Sequence, residues 1–316
     1  MRVQKSYASK VRSFVGAFPP PGFLTMPAAA IDISDTSIKY LDTEYTNAGC
    51  TPRKFDNLDL PEGIVVGGVV QDTTMLAEYL RPLRETHGRE FALVALPEEL
   101  AYLYTVYVPK TDEVDLKEVI EFSLAENVPI SAEDAVFDYD IIHKPSGGAE
   151  VSVTVYERAV VNGYVEALER AGFTVRLCEL EARSVVRSVV PRDNAGMSMI
   201  IDLGRTRTGI TIARGGTPLF STTVHIGGQA LTDAIKELKS IDDAEADAIK
   251  REVGLGSDDE ELNKILMASV GKLVSEIDRH YQFWNSKRGE GGEHIDPVSN
   301  IYLCGCLLYT SPSPRD

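Results

Sequence analysis

Short alternating apolar runs, broken by one segment of helical period, make up the first third of the chain. Residues 30–35 (AIDISD) and 37–42 (SIKYLD) predict two strands, and residues 91–97 (FALVALP) predict a further one. Between them, residues 67–88 hold a helix for which Asp72 or Thr73 is the expected N-cap. The pattern then changes. Residues 114–129 (VDLKEVIEFSLAENVP) are helical, with Leu116, Val119, Ile120 and Leu124 on one face. Residues 135–142 and 150–157 alternate as strands about the turn KPSGG, and residues 159–173 form a helix ending at Ala171-Gly172. This α+β module reads as inserted into the first domain, which resumes through TVRLCELEARSVVRSVV. A second domain opens near Met197 with the hairpin IIDLGRTRTGITIARGG at 200–216 and a strand in TPLFSTTVHIGG. Three helices follow, at 229–240, 243–254 and 263–287, and then a last buried strand in NIYLCG at 300–305.

The two hairpins share a chemistry. Each strand delivers an aspartate to its end, Asp32 or Asp202, and two residues later a small residue, Ser34 or Gly204, lets backbone N–H groups approach a ligand. Hydroxyls follow at Thr36, Ser37, Thr206 and Thr208, and Lys39 adds a cation at the first corner. Phosphate chains need backbone and hydroxyl donors, and Mg²⁺ needs oxygen ligands, often through water. Two such corners, each opening its own α/β domain, read as a duplicated phosphate clamp. Two hairpins with merely polar turns are the alternative.

Composition narrows the field. At 316 residues the chain is long enough for two domains. Lys and Arg total 32 against 48 Asp and Glu, a net charge of −16 that argues against nucleic acid as a partner. No apolar run approaches the roughly 18 residues of a membrane-spanning helix, and no secretory leader is recognisable. Cys50, Cys178, Cys304 and Cys306 form no zinc or disulfide pattern, as expected of a reduced, cytoplasmic protein.

At this point the chain resembles the actin-like ATPase superfamily, whose two related domains close on ATP, and within it the PilM family of type IV pilus assembly, relatives of the division protein FtsA. DISDTSIK looks like the first phosphate loop and DLGRTRT like the second; LKEVIEFSLAENVPIS, VEALERAGFTVRLCELEARS, HIGGQALTDAI and DAEADAIKRE continue the likeness in order. The resemblance implies an actin-like ATPase fold: two related α/β domains with an inserted small α+β subdomain. It assigns Ser34, Asp35, Thr36, Ser37 and Lys39 to the first loop, and Gly204, Arg205, Thr206 and Thr208 to the second. Asp32 and Asp202 would hold the magnesium hydration shell, and Glu181 would orient an attacking water, unless it is only a helix-start carboxylate. Gly227 and Gly228 would lie beside ribose and phosphates. Asp247 and Lys250, three apart on one helix, would touch ribose and adenine or form a salt bridge. ATP and Mg²⁺ are the implied cofactors. Ser34 where glycine is usual, the charge of Asp35, and the bulk of Arg205 and Arg207 point to nucleotide binding with slow turnover, if any.

The resemblance also implies a partner, the cytoplasmic N-terminus of a PilN-like membrane protein, docked beside the inserted module at the inner face of the cytoplasmic membrane. An FtsA-like division role, a scaffold that has lost nucleotide binding, and a kinase of the same superfamily are the competing readings; the last lacks a candidate acceptor-site base. Residues 1–18 carry no acid, and Tyr7, Val11, Phe14, Val15 and Phe18 share a helical face beside Lys5, Lys10 and Arg12. This arm suggests an anionic membrane surface, a partner, or only a tail. The ending CLLYTSPSPRD resembles translated adapter sequence, so residues from about Cys306 onward are expected to be non-native, with part of the nucleotide pocket missing. The expected division is therefore an arm at 1–27, a first domain at 28–97 continued at 175–196, a module at 98–174, a second domain at 197–305 and a tail at 306–316.

Overall fold

A computed structural model describes residues 26–46, 49–109, 116–144, 147–254, 258–286 and 296–309. The basic arm at 1–18 and the last residues of the tail, 310–316, lie outside them. The chain divides into two compact units, residues 1–97 with 158–179, and residues 98–157 with 180–316.

In the first unit, β1 (Ala28–Ile33) buries Ala29, Ile31 and Ile33, so that Asp32 points to the other face. β2 (Ser37–Thr46) and β3 (Gly49–Asp59) continue β1 as an antiparallel meander. After the short hairpin of β4 (Val65–Val66) and β5 (Val69–Val70), helix α1 (Thr73–His87) crosses back to β6 (Phe91–Leu96), which lies parallel to β1. The expected cap is Asp72, whose carboxylate accepts from the amides of Thr74 and Met75 at 2.9 Å. Leu76, Ala77, Leu80 and Leu83 of α1 are buried.

The module's expected boundary at 174 is corrected by packing. Helix α3 (Arg158–Arg170) joins the first unit: it packs on α1, and the buried Tyr164 hydroxyl donates to Gly68 O at 2.6 Å. β10 (Thr174–Leu180) then completes a sheet of order β10-β6-β1-β2-β3. The return segment expected at 175–196 is itself split, because residues from Leu180 onward belong to the second unit.

That unit begins with a short 3₁₀ turn at Glu98–Leu100. β7 (Ala101–Pro109), helix α2 (Leu116–Asn127), β8 (Ala135–His143) and β9 (Gly148–Glu157) form an antiparallel sheet of order β7-β9-β8 under one helix. Ile120 and Leu124, on the helical face read from the sequence, pack on Val151, Val153 and Val155. Helix α4 (Glu181–Val189) leads to β11 (Met197–Leu203), β12 (Thr208–Arg214) and β13 (Thr217–Val224), another antiparallel meander. Helices α5 (Gly228–Lys239), α6 (Asp243–Glu252) and α7 (Glu260–Ser286) return the chain to β14 (Val298–Cys304), parallel to β11. Each large sheet is thus a meander whose first strand also gains a parallel neighbour, the structural form of the duplication. β14, expected to be buried, is an edge strand in the order β13-β12-β11-β14. Tyr302 and Cys304 pack with Val186 and Ile200, whereas Ile301 and Leu303, on the opposite face, are 53% and 55% exposed. Among the described residues no helix is long and apolar enough to cross a membrane.

The inserted sheet is fastened to β13. The Ser152 hydroxyl donates to Pro218 O at 2.8 Å, and the Glu98 carboxylate accepts from Ser221 Oγ at 2.7 Å and Thr223 Oγ1 at 3.0 Å. Burial pushes the Glu98 carboxyl up from 4.5 to about 7; the two hydroxyls oppose that shift, and the charges of Asp202 and Glu99 add to it. A carboxyl whose folded pKa is raised binds more protons folded than unfolded, so its contribution is complete below pH 4.5 and lost as the pH rises through about 7. The loss amounts to about 3 kcal/mol by pH 8. Glu98→Gln keeps both contacts, because hydroxyls can rotate to donate or accept. Urea unfolding should therefore show Glu98→Gln gaining on the parent protein between pH 5 and pH 8. Identical pH slopes for the two proteins would contradict the buried-acid assignment.

Candidate functional site

The first corner is a four-residue turn that satisfies much of its own polarity. Ser34 N donates to Ser37 O at 2.9 Å, and Ser37 N donates to Ser34 Oγ at 3.1 Å. Asp32 and Lys39 are cross-strand neighbours, and Lys39 Nζ donates to Asp32 Oδ2 at 2.8 Å in a partly exposed pair. Asp35 departs from its expected place beside a phosphate. Its carboxylate accepts from Gly67 N and Gly68 N, both at 3.0 Å, which are the turn residues of the β4–β5 hairpin. That hairpin needs φ of +57° and +76° at its two glycines, and Asp35 supplies the acceptor that fixes it.

The second corner is built by close backbone approach. Gly204 N donates to Arg207 O at 3.0 Å, closing the turn between β11 and β12. The start of α5 docks on that turn: Gly228 N donates to Gly204 O at 3.0 Å and Gln229 N to Arg205 O at 2.7 Å. A side chain at Gly227 would place its Cβ 2.6 Å from both Arg205 O and Arg207 N. Gly305, with φ of +100°, closes the other side, where a Cβ would lie 2.4 Å from Asp202 Oδ1. Gly204, Gly227 and Gly305 therefore bring a turn, a helix start and a strand end together around one carboxylate.

Several expected ligand contacts are spent inside the protein instead. Thr208 is fully buried, and its hydroxyl donates to Ile226 O at 2.7 Å, so it staples β12 to the approach of α5 rather than offering a donor to a phosphate. Lys250 is 6% exposed and donates to Thr232 Oγ1 at 2.8 Å, with Asp247 Oδ1 at 2.6 Å; a buried ammonium must be paired. The Asp247–Lys250 pair thus locks α6 to α5, with Arg251 also bonded to Asp247. Arg207 forms an ion pair with Glu99. Arg205 and Thr206 are exposed, and Arg205 Nε donates to Gln229 Oε1 at 3.4 Å. Glu181 is the first residue of α4 and half-buried.

Glu98 and Glu99 were not singled out in the sequence. The available signal was a pair of acids directly after the strand FALVALP, at a position where the pattern changes. Cys304 marks where the carboxylates converge: burial raises its thiol to about 12, and the charges of Asp202, Glu181 and Glu98 add to the shift. A thiol held protonated in this way is no nucleophile. Among the described residues no group of three His, Cys, Asp or Glu side chains is arranged to hold a metal directly. The glycine-lined surface beside Asp202, the Thr206 hydroxyl and the Arg205 guanidinium suit a hydrated cation with phosphate oxygens. A base is less well served on the helix side. Leu307, in the 3₁₀ turn Cys306–Tyr309, would lie 3.0 Å from a Cβ at Gly228, and the adjoining niche lined by Ile226, Gly227, Leu231 and Leu273 holds only about 30 Å³.

The chain is similar in structure to the PilM–PilN type IV pilus biogenesis complex, with a TM-score of 0.72 and 19% identity over 90% of this chain and 82% of that one. It is also similar to the ethanolamine utilization protein EutJ from Carboxydothermus hydrogenoformans, with a TM-score of 0.52 and 15% identity over 93% of this chain and 79% of that one. These likenesses show the actin-like fold. The family model described as type IV pilus assembly protein PilM matches residues 30–310. With so much of the chain matched, it belongs to the PilM family of type IV pilus assembly proteins.

Proposed function

We propose that this chain is a nucleotide-binding member of the pilus inner-membrane platform, at the cytoplasmic face, and that it docks the N-terminal segment of a PilN-like membrane protein. The observation that carries the reading is the corner around Asp202, tied to the inserted module through Glu98 and Glu99. The similar solved structure is a complex of PilM with PilN, and the family match covers the inserted module as well as both corners. Peripheral membrane contact through residues 1–18 stands as a further part of the proposal.

In the second unit Asp202 would orient waters of a magnesium ion through its carboxylate, and in the first unit, taken by itself, Asp32 is proposed for the same role. Thr36, Ser37 and Thr206 would donate hydroxyl hydrogen bonds to phosphate oxygens, and Arg205 would add a guanidinium. Gly227 and Gly228, read from the family resemblance as ribose neighbours, are packed against the β11–β12 turn and Leu307 and serve here to bring α5 up to that turn. MgATP supplies the phosphoanhydride bond whose state is read. Glu181 would hold a water by its carboxylate. With Thr208, Lys250 and Asp35 engaged internally, positioning of the phosphates is sparse, which suits slow turnover or none.

The coupling route follows from contact. Glu99 leads into β7 of the module and is paired with Arg207 in the β11–β12 turn. A nucleotide that shifts this turn would alter the Glu99–Arg207 pair, and a peptide that shifts β7 would do the same from the other end. Such coupling is reciprocal.

Fluorescent-nucleotide titration with magnesium should show a loss of affinity of about tenfold or more in Asp202→Ala and in Asp32→Ala, because each removes a charged oxygen rather than packing. Unchanged affinity in both folded variants would leave a docking scaffold without nucleotide. A peptide matching the N-terminus of a PilN-like partner should bind with different affinity with and without MgATP. Glu99→Gln should abolish that difference while leaving each ligand's separate affinity within about twofold. A difference that survives Glu99→Gln would place the coupling elsewhere.

A further inference from the structure

Away from both corners, a cavity of about 240 Å³ lies in the second unit, lined by Arg183, Arg187, Val190, Pro191, Arg192, Gly215 and Gly216. Its charge is unusual for this chain, which has an excess of 16 negative charges. Arg183 and Arg187 stand one helical turn apart on α4, a like-charge spacing that weakens a helix. Arg187 is in the last turn of α4, where the helix dipole favours a cation, but that accounts for one of the three guanidiniums.

The setting fixes one of the arginines, while Arg187 and Arg192 are exposed. Arg183 is gripped from behind by Asp140 of β8, which accepts from Nη2 at 2.8 Å and also from Nη1. Val190, 7% exposed, and the exposed Pro191 add apolar lining. On the far side the β12–β13 turn is open, since a Cβ at Gly215 or Gly216 would meet nothing within 4 Å. Its neighbour Arg214 is paired with Asp296 at 2.8 Å and is not among the lining residues.

We infer that this cavity is a binding site for a phosphate group, carried by a free phosphoester or by an anionic lipid headgroup. A phosphate accepts from guanidinium N–H groups in several directions at once; Arg187 and Arg192 bring such groups to one space, and Arg183, whose two Nη groups hold Asp140, adds its remaining N–H and its charge. The volume lies below the roughly 300–1,000 Å³ of ordinary organic-ligand pockets, so it suits a headgroup or small ester whose remainder leaves through the open glycine turn. The site shares no residue with the nucleotide corner and does not depend on nucleotide binding.

The test uses the full chain, with inorganic phosphate and glycerol phosphate as probes at constant ionic strength. Both probes should raise the melting temperature of the parent protein and of Asp202→Ala equally, and neither should raise that of the double variant Arg187→Ala/Arg192→Ala. Unliganded melting of the double variant serves as the folding control, and Arg192→Ala alone, beyond the end of α4, should reduce the shift if the double variant is unstable. No shift in the parent, or a full shift in the arginine variants, would overturn the site. A second arm assigns the source. Co-sedimentation with phosphatidylglycerol vesicles that falls about fivefold in the double variant identifies a lipid headgroup. A phosphate shift that needs both arginines, with sedimentation unchanged, identifies a free phosphoester.

Discussion

The approach of three backbone segments to Asp202 sets the geometry on which the second unit depends. The turn after β11, the first residues of α5 and the end of β14 meet at distances that exclude a Cβ at Gly204, Gly227 and Gly305. Hydrogen bonds from Gly228 N and Gln229 N to the turn carbonyls then join a helix start to a hairpin. These bonds spend amides that a helix N-terminus would otherwise offer to an anion. The phosphate-binding capacity proposed for this corner therefore rests on Asp202, Thr206 and Arg205 more than on the helix itself.

The two corners are related in topology but not in how they are held. The first is closed by side chains: the Ser34 hydroxyl inside the turn, Lys39 across from Asp32, and Asp35 on the neighbouring hairpin. The second is closed by backbone, with Thr208 as a buried staple. A side-chain turn can change sequence while keeping its shape, whereas a turn at van der Waals contact cannot. That difference explains how Ser34 can stand where the family resemblance leads one to expect glycine.

Glu98 and Glu99 give the inserted module its purchase on the second sheet. One is a buried carboxyl held by two hydroxyls of β13, and the other is an ion pair to the turn that follows β11. Burying an acid near Asp202 costs stability at neutral pH, a cost usually met at places where a structure must respond to something. The same unit concentrates arginine around a separate cavity. Its surface thus carries distinct groups for the nucleotide, the protein segment and the phosphate group proposed above.

Much of the architecture was legible from short-range pattern. Helical period placed Ile120 and Leu124 on one face, Asp72 announced the start of α1, and the paired strand–turn–strand motifs identified the duplication and the family. These features depend on neighbours a few residues away, which is why sequence determines them. The partners of buried polar groups are chosen over long separations and were not legible. Thr208 looked like a loop hydroxyl until Ile226 O lay above it; the Asp247–Lys250 pair was legible from its spacing, but not the burial of Lys250 against Thr232 Oγ1; Glu98 gained its role only when β13 came alongside. Likewise, the apolar run ending in Cys304 specifies a strand, but sheet order decides that it is an edge with Ile301 and Leu303 exposed. Periodicity tells a residue which face it occupies, and only packing tells it what it meets there, because a buried donor or charge takes whichever acceptor the tertiary fold brings within reach.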